Sequence, residues 1–303
     1  MKRFILKLVL FCLLVITPYF YLQYTLMKAH DPFYWKATGK ADHLVLGGSR
    51  ALKGVFPHVI SKELQLEGEM LNFAFTGVLS PYGDKYFSAI KRKLKPATEN
   101  GIFILSVSPG SIMDFSDAID ARENNFRFYK LWGMNQHPNI EYVLRHPRSG
   151  SALLVEWLSE EREAKNNVNR VFQNGANGTY LPEDFKPKSR AVVMHYDMEK
   201  SPVREASLAA LIRFLSERGH VFLVRVPVSH QIREEENLIY PFFDEAMSRL
   251  CHQKKDIWYF DYTDSIQQNT YRFSDGYHHL EGNSSDKFSR ALAKDIKKAL
   301  QND

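Results

Sequence analysis

The sequence predicts an α/β fold with a central parallel sheet, held behind an N-terminal membrane-spanning helix. Three observations carry this expectation: an uncharged apolar run near the N-terminus, short apolar runs that stop at glycine or proline, and amphipathic stretches of helical period between them. Strands alternating with helices fold as a parallel sheet with crossover helices. That arrangement puts functional loops at the carboxyl ends of the strands.

The N-terminus comes first. After Lys2, Arg3 and Lys7, residues 8–27 carry no charge. At ~1.5 Å rise per residue a helix of that length covers the ~30 Å hydrocarbon layer. The basic flank precedes the apolar run, so the positive-inside rule predicts a single-pass protein of a bacterial-type inner (cytoplasmic) membrane. Everything after about residue 30 would then be periplasmic or extracellular. Tyr19, Phe20, Tyr21 and Tyr24 gather at the outer end, where aromatic rings favour the interface. Leu26, Met27, Lys28 and His30 are poor cleavage residues, and Cys12 follows Phe11 rather than a small residue, so the segment reads as an uncleaved anchor. Cys12 and Cys251 then lie on opposite sides of the membrane boundary, and no intrachain disulfide is expected.

Behind the anchor, residues 42–47 form an apolar strand that ends at Gly47-Gly48. A short helix over 57–66, a strand over 70–75, a helix carrying Tyr86, Ile90 and Leu94 and a strand over 102–107 follow. From about 111 to 188 the composition shifts to Asn, Arg, Tyr and Trp with helix-like pieces and few strand signals, which marks an insertion serving as a lid, a partner surface or a cover for one sheet edge. Alternation resumes with a strand over 191–195. Leu208, Leu211, Ile212 and Leu215 then mark a helix closed by Gly219, followed by strands over 221–226 and 257–260 around a helix over 242–250. Phe288, Leu292, Ile296 and Leu300 place an amphipathic helix last. The predicted organisation is an anchor over 1–30 and one domain over 31–303, and 303 residues with 44% hydrophobic content suffice for one substantial core.

The net charge of +5 suits anionic lipid head groups or acidic polymers. The basic residues are spread along the chain without the aromatic spacing of a nucleic-acid reader, so no nucleic-acid partner is expected. Gly47-Gly48 lacks the full glycine pattern and the ribose-binding acid of a nucleotide site. His195, His220 and His252 are dispersed without ligand spacing, and neither a metal nor another cofactor is expected.

Two motifs carry chemistry. In Gly47-Gly48-Ser49-Arg50 a serine sits where the first strand ends and a helix begins, so its hydroxyl can meet a substrate and the adjacent amides can face a developing oxyanion. In Asp275-Gly-Tyr-His278-His279, just ahead of the last helix, an aspartate can orient an imidazole that takes the serine proton. Spacing from Asp275 favours His278; His279 is the alternative. Arg50 suits an anionic substrate group or a turn anchor equally. Arg225, inside an apolar strand, either pairs with a carboxylate or lies at the strand's exposed end, and the second reading is preferred. Tyr129, Trp132 and Trp157 are read as core aromatics rather than sugar-stacking rings.

A serine after the first strand paired with Asp-x-x-His before the last helix of an α/β domain resembles the SGNH (GDSL-like) hydrolase superfamily. The segments Leu44-Val-Leu-Gly-Gly-Ser-Arg-Ala51, Gly54-Val-Phe-Pro57 and Ser108-Pro109 look like its membrane-anchored branch, and the resemblance covers about residues 42–110 and 190–300. It implies a three-layer, flavodoxin-like sandwich with Ser49 as nucleophile, Asp275 and His278 (or His279) as its partners, and Gly77 in Asn72-Phe-Ala-Phe-Thr-Gly77 as an oxyanion donor. It also implies an acyl-ester substrate, an acylated glycan or a small ester, and a membrane-bound acyltransferase partner. Two positions depart from the family: Gly48 stands where the family has Asp, and Ser106-Val-Ser-Pro-Gly110 replaces Gly-x-Asn-Asp. Ser108 is the candidate substitute for the absent asparagine donor. The expected function is therefore an extracytoplasmic serine esterase or O-acyltransferase acting on a cell-envelope or exported glycan. The rival is a catalytically degenerate domain that binds glycan or scaffolds an envelope complex.

Overall fold

The computed structural model describes residues 1–76, 82–115, 126–158, 169–183, 198–252, 254–263 and 270–302. Its helices are α1 (Lys2–His30), α2 (Pro32–Lys36), α3 (Ser49–Gly54), α4 (Pro57–Leu64), α5 (Asp84–Lys93), α6 (Pro109–Ile112), α7 (Ile140–Arg145), α8 (Pro147–Leu158), α9 (Pro202–Ser216), α10 (His230–Ile239), α11 (Phe243–Cys251) and α12 (Gly282–Gln301). The strands are β1 (His43–Leu46), β2 (Met70–Asn72), β3 (Gly101–Ser106), β4 (Met113–Phe115), β5 (Asn169–Gln173), β6 (Ala176–Tyr180), β7 (Met198–Lys200), β8 (Gly219–Arg225) and β9 (Ile257–Asp261). The expected strand over 191–195 lies outside the described residues.

Two compact units divide the chain, one of Lys40–Lys130 with Val168–Asp303, the other of Met1–Gly39 with Leu131–Asn167. The predicted insertion is shared between them.

The larger unit is built on a five-stranded sheet in the order β2-β1-β3-β8-β9, every pair parallel, with helices flanking it. Parallel strands covered on both faces read as continuous apolar runs, and Leu44, Val45 and Leu46 of β1, Phe103, Ile104 and Leu105 of β3, and Phe222, Leu223 and Val224 of β8 are fully buried. From β1 the chain steps outward to β2, then returns past β1 to β3. Neighbouring connections diverge there, at the carboxyl ends of β1 and β3, the position where such sheets generally leave a binding crevice. Gly219 does not close α9, which ends at Ser216 with Glu217 as its C-cap. It opens β8 instead, at φ +151, where a Cβ would lie 2.1 Å from the Gly101 carbonyl oxygen.

Two short antiparallel pairs in this unit were not predicted. β4 pairs with β7, and β5 with β6. The β5–β6 loop is Asn174-Gly175, both at positive φ, the two-residue hairpin signature. Its tip docks on β2: the Asn72 amide donates to the Asn174 carbonyl at 2.9 Å, and a Cβ on Gly175 would lie 2.4 Å from the Asn72 carbonyl oxygen. The hairpin then packs on the start of α4 and on α12, with Gly178 beneath the Phe56 ring and Gly282 beneath Tyr180.

In the smaller unit α1 runs unbroken through Pro18, and among the described residues it is the helix long and apolar enough to cross a membrane. Its apolar side chains from Phe4 to Ile16 are exposed, whereas Gln23, Leu26 and Met27 are buried. Helix α8 packs there: Tyr19 and Gln23 meet Ser151, and Gly150 sits against Gln23 and Met27. Asp31 caps α2, accepting from the Phe33 amide at 2.8 Å, and also accepts from the Tyr142 hydroxyl at 2.9 Å; Asn139 caps α7 through the Tyr142 amide. Trp132, read as core, is 72% exposed. The Trp157 side chain lies outside the described ones.

Candidate active site

The site begins with a turn that only glycine permits. Gly47 leaves β1 at φ +124, and a Cβ there would lie 2.8 Å from the Ser106 carbonyl oxygen at the end of neighbouring β3. Gly48 has ordinary extended angles and open space, and caps α3. Ser49 is therefore the first residue of α3, at the crevice end of the sheet. First-turn amides of a helix have no intrahelical acceptor, so they are free to face a ligand. Asn72 fixes the other end of α3 by donating to the carbonyls of Ala51 at 2.8 Å and Val55 at 2.9 Å.

The second motif closes on the first. Residues 273–280 form a tight turn, in which Phe273 bridges Leu280 and the Ser274 amide donates to the His279 carbonyl at 2.7 Å. Asp275 Oδ1 sits inside it and accepts from the amides of Tyr277, His278 and His279 at 3.0, 3.0 and 3.1 Å. Its Oδ2 lies 2.6 Å from His279 Nδ1, and His279 Nε2 lies 2.8 Å from Ser49 Oγ. The acceptor-only carboxylate places the ring proton on Nδ1, which leaves Nε2 to accept from the serine hydroxyl.

This geometry corrects the preference for His278. The His278 ring reaches Asp275 Oδ2 only at 3.4 Å, and Ser49 is bonded by His279. The spacing argument failed because three consecutive amides wrap around Oδ1 in a turn through Gly276 at φ +84, and this turn brings the fourth residue on, not the third, closest to Oδ2. Leu280, buried against Gly54 of α3, pins His279 in that place.

Burial opposes the charged form of Asp275, but the hydrogen bond and charge of His279 and the Tyr277 amide outweigh it and hold the carboxyl well below its ordinary range. Burial, helped by Lys53 and Arg50, lowers the His279 pKa against the pull of Asp275. His278 is pushed down to about 4 by burial and by His279. Both rings are thus neutral near pH 7. Among the described residues Asp275, His278 and His279 also form a group whose ligand atoms lie within 4.8 Å of one another. His279 Nδ1 and Asp275 Oδ2 already bond directly at 2.6 Å, a contact that an ion between them would have to break.

Arg50 Nη1 lies 2.7 Å from Glu236 Oε1, an ion pair without hydrogen-bond alignment. Glu236 Oε2 bonds Arg225 Nη2 at 3.0 Å, and Arg225 Nη1 holds both oxygens of Asp244 at 3.0 and 3.1 Å. Arg225 is therefore not at an exposed strand end. It is fully buried, and three acids, Glu236, Asp244 and Asp261, surround it. Glu236 was missed; its signal is the helical register that puts it one turn after buried Ile232 on the inner face of α10. Ser108 follows β3 at the crevice end, where its amide and carbonyl are engaged by the Ser111 hydroxyl at 3.1 and 2.6 Å. Gly77 lies outside the described residues. Tyr129 is half-buried and gives its carbonyl to Arg92 at 2.8 Å.

No family model matches the chain, and no curated protein is significantly similar to it in sequence.

Proposed function

We propose that the chain is a membrane-anchored, extracytoplasmic serine esterase or O-acyltransferase of the SGNH type, acting on acyl esters of a cell-envelope or exported glycan. The observation that carries this reading is the hydrogen-bond chain Ser49–His279–Asp275, drawn from opposite ends of the larger unit. As Ser49 Oγ attacks the acyl carbonyl carbon, its proton passes to His279 Nε2, and Asp275 stabilises the imidazolium through Nδ1. The carbonyl oxygen becomes an oxyanion, which the Ser49 amide and, from the family pattern, Gly77 would stabilise. Collapse of the tetrahedral species breaks the ester bond, and the leaving oxygen takes the proton from His279. Water or a sugar hydroxyl then attacks the acyl-serine by the same proton route, giving hydrolysis or transfer.

The anchored and outward-facing part of the proposal is supported by α1, with its basic flank and exposed apolar surface. A membrane-bound acyltransferase partner belongs to the same proposal. Turnover of p-nitrophenyl acetate by the full chain in detergent, beside Ser49→Ala, tests it. Loss of turnover in the variant supports the reading, and equal rates or an inert wild type would turn it toward the glycan-binding alternative.

A further inference from the structure

The helix that presents Ser49 also presents a lysine. Ser49 and Lys53 stand four residues apart on α3, the spacing that puts two side chains on one face. The Lys53 side chain is half-buried, near enough to Asp275 and Arg170 for both charges to act on it. Among the described residues its ammonium has no ion-pair or hydrogen-bond partner. Asp275 acts on it by charge without an ion-pair contact, its carboxylate being turned to three backbone amides and to His279. Arg170 is exposed on β5, in the hairpin that packs against α3, and among the described residues it too has no ion-pair partner. Arg50, on the same helix, is by contrast matched by Glu236 at 2.7 Å.

Burial lowers the Lys53 pKa, Asp275 opposes this and Arg170 adds to it, so the ammonium is held at a cost that a nearby anion would relieve. We propose that Lys53 and Arg170 form an anion subsite beside Ser49, which binds a carboxylate or phosphate group carried by the acylated substrate. The inference rests on the esterase reading and narrows its substrate to a negatively charged acyl ester or acyl acceptor.

Calorimetric titration of inorganic phosphate and of glucuronate into full-length Ser49→Ala protein tests it without requiring turnover. At least one anion is expected to bind, with affinity falling about tenfold when Lys53→Gln or Arg170→Gln is added. The anion that binds more tightly identifies the phosphate or carboxylate class. Absence of binding by both anions, or binding that survives both substitutions, overturns the subsite. Arg170 lies on an exposed strand, so its substitution remains informative if Lys53→Gln fails to fold. Turnover of p-nitrophenyl acetate by wild type is measured in parallel: an inert wild type that still binds the anion through Lys53 retains the subsite and discards the esterase. A turning-over wild type without Lys53-dependent binding does the reverse.

Discussion

His279 bonds Ser49 at 2.8 Å through Nε2 while its Nδ1 bonds Asp275 at 2.6 Å, and the adjacent ring of His278 stands outside that line. If the chain works as an esterase, the two histidines must differ sharply in consequence. Removing a general base costs about 10²–10⁴ in rate, so His279→Ala should lower kcat/KM on p-nitrophenyl acetate by that factor. His278→Ala should change it by less than about tenfold. Equal losses in the two variants would contradict the geometry.

The same contact fixes the sign of the pH dependence. The base works as neutral imidazole, and protonation removes it as pH falls through its pKa. Because burial, Lys53 and Arg50 together outweigh Asp275, the His279 pKa lies below the ordinary value of ~6.5. The acid limb of kcat/KM should therefore have its midpoint below about pH 6.5. A midpoint above that value would mean that Asp275 dominates the ring.

How far the sequence reveals this site depends on whether the deciding forces are local. The stop at Gly47-Gly48 is legible, because an apolar run broken by glycine reflects a backbone requirement of the residues themselves. The β5–β6 hairpin went unread although Asn174-Gly175 is a local turn code, because it lies among the polar residues of the supposed insertion. The choice between His278 and His279 was not, since it depends on how three amides wrap Asp275 and on Leu280 reaching Gly54, more than two hundred residues away in the chain. Arg225 misled for a similar reason. Its acids come from α10, α11 and β9, and only the fold brings them to the end of β8.

Adjacent glycines in the nucleophile turn should respond oppositely to substitution. Gly47→Ala forces a side chain into φ +124 and against Ser106, with an expected loss of about 2–5 kcal/mol from backbone strain and overpacking. Gly48→Asp introduces an acid at a position with open space for a Cβ and ordinary extended angles, and should change stability by no more than about 0.5 kcal/mol. Urea denaturation of both variants decides the matter, and comparable destabilisation would show that the turn is not held as described.

The charged chain behind Arg50 makes the last prediction. Glu236 is 1% exposed and sits between two guanidiniums, Arg50 and Arg225. Its neutralisation would leave Arg225 facing only Asp244 and Asp261, both partly exposed, and Arg50 with no acid among its described contacts. Breaking a buried ion pair from one side costs about 3–5 kcal/mol, so Glu236→Gln should lower stability by that amount. Arg50→Met should cost less, because Glu236 keeps Arg225. A double-mutant cycle between Arg50→Met and Glu236→Gln should show coupling above about 1 kcal/mol in thermal or urea unfolding, and additivity would mean that Arg50 is held beside Ser49 by something other than Glu236.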